Sequence, residues 1–141
     1  MVEARWGSNP RFTDGDSYRF IRSEGKTFPS HRCLVPASEF HITVGQRRYR
    51  VMLDGGNFFY LAAVWEPTMG DWPLNYRVVT VAANPEVARY QDRHGAIIHR
   101  RQTMQWLDAA VPDSELLTTP PARTFVMEEL SGGPRQTTLA L

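Results

Sequence analysis

The sequence predicts an α+β domain: a strongly bent, barrel-like antiparallel sheet carrying a few short helices. Short runs of β-branched, aromatic and aliphatic residues recur along most of the chain, each bounded by Gly, Pro, Asn or Asp. Helical spacing is confined to brief stretches after Asn84-Pro85 and after Arg101. A third observation bounds the size, because 141 residues with 42% apolar composition can bury one modest core.

Residues 1–30 mix Gly, Pro, Asp and Ser with isolated aromatics (Trp6, Phe12, Tyr18, Phe20, Phe28), the pattern of irregular loop pinned by single buried rings. Residues 33–36 (CLVP) read as a short strand stopped by proline, and 40–44 (FHITV), ended by Gly45, as another. Residues 47–53 alternate and end at Asp54-Gly55-Gly56, ahead of the apolar run 58–65 (FFYLAAVW); the turn signal between the two predicts a hairpin. Residues 76–83 (YRVVTVAA) have the character of a central strand, and Asn84-Pro85 supply the cap and first-turn proline of a short helix to about Tyr90. Residues 96–98 make one more short strand. Over 101–110, Met104, Leu107 and Ala110 recur at helical spacing, which sets that face on the sheet, and Pro112 ends the helix. Beyond it, Thr-Thr-Pro-Pro and Ser-Gly-Gly-Pro read as loop, with room for one short element over 124–130. The domain is therefore expected over 1–112, with 113–141 a loop-rich C-terminal tail packing on it or extending from it.

Composition excludes several classes. No apolar run approaches the roughly 18 residues of a membrane span, and residues 1–6 lack the apolar segment of a signal peptide, so a cytoplasmic protein is expected. A single cysteine, Cys33, excludes an intramolecular disulfide and a cysteine-rich zinc site, and no cofactor is implied. A net charge of +1 does not announce nucleic-acid binding. Of the 16 basic residues all but Lys26 are arginine, which supplies forked, phosphate-compatible donors but is first explained by a GC-rich genome.

Several blocks of the chain resemble one family in order. Residues 31–40 (HRCLVPASEF) are similar to a block reading RRCLVPADGFYEW, and 20–25 (FIRSEG) to an N-x-R-x-E block just upstream. Trp6-Gly7 stands where that family has its WG pair, 61–66 (LAAVWE) resembles LAGLWE, and 79–84 (VTVAAN) resembles T-x-x-A-N. Residues 91–98 (QDRHGAII) fall at H-x-R-M-P-V-I-L, followed by Trp106-Leu107. These are blocks of the SRAP family, the abasic-site-processing and SOS response-associated peptidase domain. The resemblance implies the bent-sheet fold and a role in handling damaged single-stranded DNA.

The same resemblance implies a chemistry. An N-terminal Cys, exposed by methionine removal, traps the aldehyde of an abasic site, its thiol closing a ring that makes the adduct stable. A Glu, a His and an Asn supply proton transfer and positioning. Here position two is Val2, and the chain starts at the WG block, so it is expected to be N-terminally shortened. The Asn position carries Phe20, the Glu position Ile42 and the His position Gln91. Phe and Ile cannot transfer protons, and Gln has none to titrate near neutral pH. No catalytic residue is therefore assigned. Cys33 reads as a structural thiol in an apolar strand, His94 is offset from the expected histidine, and His41 points to the opposite face from Ile42.

Three residues are carried as nucleic-acid contacts. Arg22 and Arg93 match the arginines of N-x-R-x-E and H-x-R-M-P, which the resemblance implies are contacts to the DNA backbone. Each also has a plain structural alternative, an ion pair of Arg22 with Glu24 or Glu39 and of Arg93 with Asp92. Trp6 either stacks on an unpaired base or plugs the edge of the core. The expectation is a degenerate SRAP-like protein that binds single-stranded or abasic-site DNA non-covalently. An active crosslinker or self-processing peptidase using other groups stands as the alternative, and an interaction module without a nucleic-acid role as the second. A homodimer, or a partner covering the surface left by the missing N-terminal segment, is also expected.

Overall fold

The computed structural model describes residues 3–12 and 18–130. In chain order these form β1 (Arg5–Trp6), β2 (Phe20–Arg22), β3 (Arg32–Ala37), β4 (Phe40–Val44), β5 (Arg47–Leu53), β6 (Phe59–Glu66) and β7 (Asn75–Ala82). Helix α1 (Pro85–Ala88), β8 (Arg93–Gly95), β9 (Ile97–Ile98), α2 (Thr103–Leu107), α3 (Asp113–Leu116) and β10 (Phe125–Glu129) follow. The Phe12 ring and the Ser131-Gly132-Gly133-Pro134 loop lie outside the described residues.

The class is α+β, and the strands divide into two sheets with no closed barrel. In the large sheet β6 runs antiparallel between β3 and β7, β9 extends β6, and β8 adds antiparallel to β7. β1 and β2 also pair with β7, but parallel to it, so the irregular N-terminal segment contributes two strands that its composition hides. The small sheet has the antiparallel order β10-β5-β4.

Two local expectations change. Residues 47–53 and 58–65 do not pair. The Asp54-Gly55-Gly56 signal is a real turn, with the Gly56 N–H bonded to the Leu53 carbonyl at 2.9 Å, but it carries the chain from one sheet to the other. The hairpin is instead β4–β5, closed by Gly45 and Gln46, where Gly45 takes the left-handed φ of 61° that a tight hairpin turn requires. Pro36 does not stop β3 either. β3 lies at the edge of its sheet, where a residue without an N–H leaves no ladder bond unmade.

Strand alternation then produces two packed regions. On one side of the large sheet Ile21, Ala62, Val79, Val81, Ala96 and Ile98 meet Phe28, Trp106 and Leu116. Between the sheets, Ile42, Tyr49 and Val51 pack on Phe59, Ile97, Val87 and Phe125. Asn84 caps α1 as the sequence indicates, its side-chain oxygen accepting the Val87 N–H at 3.1 Å. Residues 113–129 take part in this packing, through Leu116 of α3 and through the five-residue pairing of β10 with β5. No helix among the described residues is long and apolar enough to cross a membrane.

Trp106 is the largest fully buried side chain. Its indole N–H donates to the Cys33 carbonyl at 2.9 Å, and the Arg32 guanidinium carbon lies 4.3 Å from the ring centroid. Arg32 in turn donates to the Phe28 and Trp106 carbonyls, at 2.7 and 3.0 Å, and to the Asp113 carboxylate, with only 5% of its side chain exposed. Asp113 also accepts the Phe28 N–H at 3.0 Å, so one buried ion pair ties β3, α2, α3 and the segment before β3 together. The expected stripe of Met104 and Leu107 faces outward, the two being 60% and 41% exposed. With only five residues, α2 cannot extend an apolar stripe, and one bulky indole supplies the burial; the left-handed φ of 53° at Ala109 ends the helix before Pro112. Trp106→Ala is accordingly expected to destabilise by roughly 3–5 kcal/mol in urea denaturation, whereas Met104→Ala should stay within about 0.5 kcal/mol. Equal losses would show that the helix packs by the other face.

Candidate functional site

The side chains of β7 alternate between the two sides of the sheet. Val79 and Val81 enter the core, while Tyr76, Val78 and Thr80 line a cleft of about 990 Å³ on the opposite face. β2 follows the same rule, with Ile21 in the core and Phe20 and Arg22 in the cleft. Trp6 of β1 stands at one side, Glu39, Phe40 and His41 come from the start of the small sheet, and Gln91 to Gly95 complete the lining. Gly95 allows a close approach here: a Cβ would lie 2.9 Å from Leu61 Cδ2 and 3.2 Å from Val78 Cγ1, so a larger residue would have to displace these side-chain ends.

All three candidate contacts, Trp6, Arg22 and Arg93, line this one cleft. Trp6 is 40% exposed and does not plug the core. Its Nε1–H donates to the Arg19 carbonyl at 3.0 Å, the Arg19 guanidinium carbon sits 4.9 Å from its ring, and it meets Phe20 edge to face at 5.4 Å. Arg22 is exposed, and its charge reaches Glu24. Arg93 is held elsewhere than expected, since its partner is Glu24 and not Asp92. Its Nη1 and Nη2 donate to the two Glu24 oxygens at 3.1 and 2.6 Å, while Nε and Nη2 reach the Thr80 hydroxyl and carbonyl at 2.9 and 2.8 Å. The bond from Arg93, with the charges of Arg93 and Arg22 behind it, holds the Glu24 carboxyl below its ordinary range. Four of the five guanidinium hydrogens are thereby spent within the fold.

The positions where the resemblance implies proton-transfer groups are dispersed. Phe20 and Gln91 face the cleft, but Ile42 is 1% exposed and points into the core between the sheets. The acid in this corner of the cleft is Glu39, which the residue pattern offered only as an ion-pair partner of Arg22; its spacing of two from His41, at the start of β4, is the signal that would have placed it at the site. His41 Nε2 lies 2.5 Å from Glu39 Oε2, and Arg48 approaches Nδ1 at 3.3 Å. Because an arginine can only donate, Nδ1 accepts and Nε2–H donates to Glu39, which commits both ring nitrogens.

His94 is 3% exposed and is likewise committed. Its Nε2 accepts the Asn84 N–H at 3.2 Å, which leaves Nδ1–H to donate to the Gly95 carbonyl at 2.7 Å. Burial makes the imidazolium unfavourable and pushes the pKa below its ordinary 6.5. Cys33, half-buried on β3, has its thiol pushed up to about 11 by burial, so the nucleophilic thiolate is a trace species at neutral pH. Among the described residues no group of three His, Cys, Asp or Glu is placed to hold a metal ion.

Solved structures share this two-sheet arrangement. A protein from Bordetella bronchiseptica matches with a TM-score of 0.75 at 19% identity, over 90% of this chain and 75% of its own. A protein from Bacteroides thetaiotaomicron matches at 0.69 and 16%, over 90% and 68%, and a phage-related protein from Bordetella bronchiseptica at 0.62 and 18%, over 91% and 70%. These likenesses define the fold class. The family follows from the sequence profile of the SOS response associated peptidase (SRAP), which matches residues 1–132: the chain belongs to the SRAP family. Membership suggests a DNA-damage-related function. No curated protein matched the chain.

Two outcomes follow from the burial of His94 and Cys33. As pH falls below about 6.5, the unfolded chain binds a proton that folded His94 refuses, so stability declines with acidification. Urea denaturation at about pH 7.5 and about pH 5.5 should show this loss in the native chain and a smaller one in His94→Gln. Alkylation of Cys33 by iodoacetamide at about pH 8 should be slow, with roughly one thiol in a thousand ionised, and should speed up on unfolding; fast labelling of the folded protein would contradict the burial.

Proposed function

We propose that this SRAP-family chain binds single-stranded or abasic-site DNA non-covalently through the cleft, as a cytoplasmic component of a DNA-damage response. The observation that carries the reading is the coincidence of Arg22 and Trp6 on one cleft whose histidines are both committed to internal hydrogen bonds. An exposed guanidinium makes charge-assisted bonds to phosphate without reading sequence, and an exposed indole stacks on a base. Arg93 serves this reading as a positioning residue, bracing β2 against β8 through Glu24 and Thr80. Self-association is part of the same proposal, supported by the outer edges of β4 and β10, which pair only with β5.

The test uses single-stranded DNA with one abasic site, read in parallel on denaturing and native gels. A complex seen only on the native gel and weakened by salt is expected. Arg22→Ala should lower affinity and reduce the log–log salt slope by roughly 0.7, the contribution of one single-strand phosphate. A band that survives denaturation would show a covalent crosslink and overturn the non-covalent reading. A concentration-independent monomer mass in sedimentation would remove the homodimer.

A further inference from the structure

We propose that the occupant of the cleft is an intact, unpaired, amino-bearing nucleobase, cytosine or adenine, lodged against Trp6 and Phe20, in preference to a base-free sugar. The inference rests on the nucleic-acid reading above and names its ligand. A pocket for a site that has lost its base needs polar groups around a sugar and gains little from aromatic rings. This cleft exposes two, Trp6 at 40% and Phe20 at 37%, with ring planes 89° apart and centroids separated by 5.4 Å. Rings set at right angles form a corner, so that a planar base lying on one face turns an edge to the other, both favourable aromatic arrangements. The cleft also carries an apolar wall, Val78 and Leu61, which pack directly against Gly95.

Beside the donors Arg22, Tyr76 and Thr80, the cleft lining carries a set of acceptors. Glu39, which also accepts from His41, and Asp92 are carboxylates, and Gln91, anchored by one amide N–H on the Arg93 carbonyl at 2.7 Å, has its amide oxygen available as an acceptor. Acceptors repel phosphate, so this side is no backbone site. They suit the exocyclic amines of cytosine N4 and adenine N6, the groups that Asp, Glu and Gln read in base recognition. Thymine presents a carbonyl oxygen at the same position, and an abasic sugar presents no ring.

The experiment measures fluorescence anisotropy of the whole chain with strands made of tetrahydrofuran abasic units and carrying one central cytosine, one central thymine or no base. All three have the same charge, so phosphate contacts are equal among them. The cytosine strand is expected to bind about tenfold tighter than the all-abasic strand, the effect of one stacked base, and several-fold tighter than the thymine strand. Trp6→Leu and Phe20→Leu should bring cytosine down to the all-abasic level without weakening the all-abasic strand, and Phe20→Tyr should keep the preference, which separates ring loss from misfolding. Equal, salt-sensitive binding of the cytosine and all-abasic strands would overturn the inference and leave the nucleic-acid reading standing. Thymine bound as tightly as cytosine would overturn the assignment of the acceptors. No binding of any strand at low salt would defeat the underlying reading itself.

Discussion

Because successive side chains of β7 point to opposite faces, the same eight residues build the main core and line the cleft. Val79 and Val81 are the contribution of β7 to the packing around Trp106, and the alternate residues Val78 and Thr80 are cleft wall. Four strands pair with β7, so its position fixes theirs: β2 delivers Phe20 and Arg22, β8 delivers Arg93 and Gly95, and β1 delivers Trp6. A register slip of one residue would exchange core and cleft side chains along the whole strand. The buried Arg32–Asp113 pair and the Trp106 indole hold the far side of this sheet in place.

The electrostatics of the cleft are local. Arg93 is the residue most strongly tied down, and Thr80, in the middle of β7, supplies two of its acceptors. The guanidinium thus bridges β8, β7 and the residues following β2. That arrangement fixes the shape of the cleft more than it offers charge to a ligand. Arg22, exposed on β2, adds its charge to the hold on Glu24.

How much of this was legible beforehand follows from the range of the interactions. Local signals read correctly: the alternating run that became β5, the β-branched run of β7, and the Asn84-Pro85 start of α1 are set by neighbours in sequence. Long-range pairing did not. The Gly-Gly turn after β5 has the composition of a hairpin, but a turn specifies only that the chain bends, and β5 finds better partners in β4 and β10. Residues 5–6 and 20–22 are too short to show a strand period and become strands only because β7 offers a ladder to join. The Met104–Leu107 stripe misled because helical periodicity has meaning over several turns and α2 has little more than one. Motif order pointed to Trp6, Arg22 and Arg93, which do line one cleft, while it gave no hint that Glu39 lines it too, since the partnership of Glu39 with His41 depends on how the chain enters β4.

The side chains at the implied catalytic positions have unequal consequences once placed in space. Ile42 is absorbed into the core between the sheets, so a carboxylate there would be buried among Tyr49, Val51 and Phe125 at considerable cost. Gln91 keeps a polar atom at the cleft but no proton to exchange. Phe20 places an apolar ring, edge to face with Trp6, at the cleft, on a strand anchored by its pairing to β7 and by Ile21 in the core. Both cleft histidines spend their ring nitrogens inside the fold, and the titratable side chains the cleft otherwise keeps are the Glu39 and Asp92 carboxylates. Stacking demands only an exposed face and a floor that stays dry. Trp6 and Phe20, 40% and 37% exposed, would meet that demand without drawing on any titratable group, so the proposed base binding and any proton-transfer role stand or fall separately.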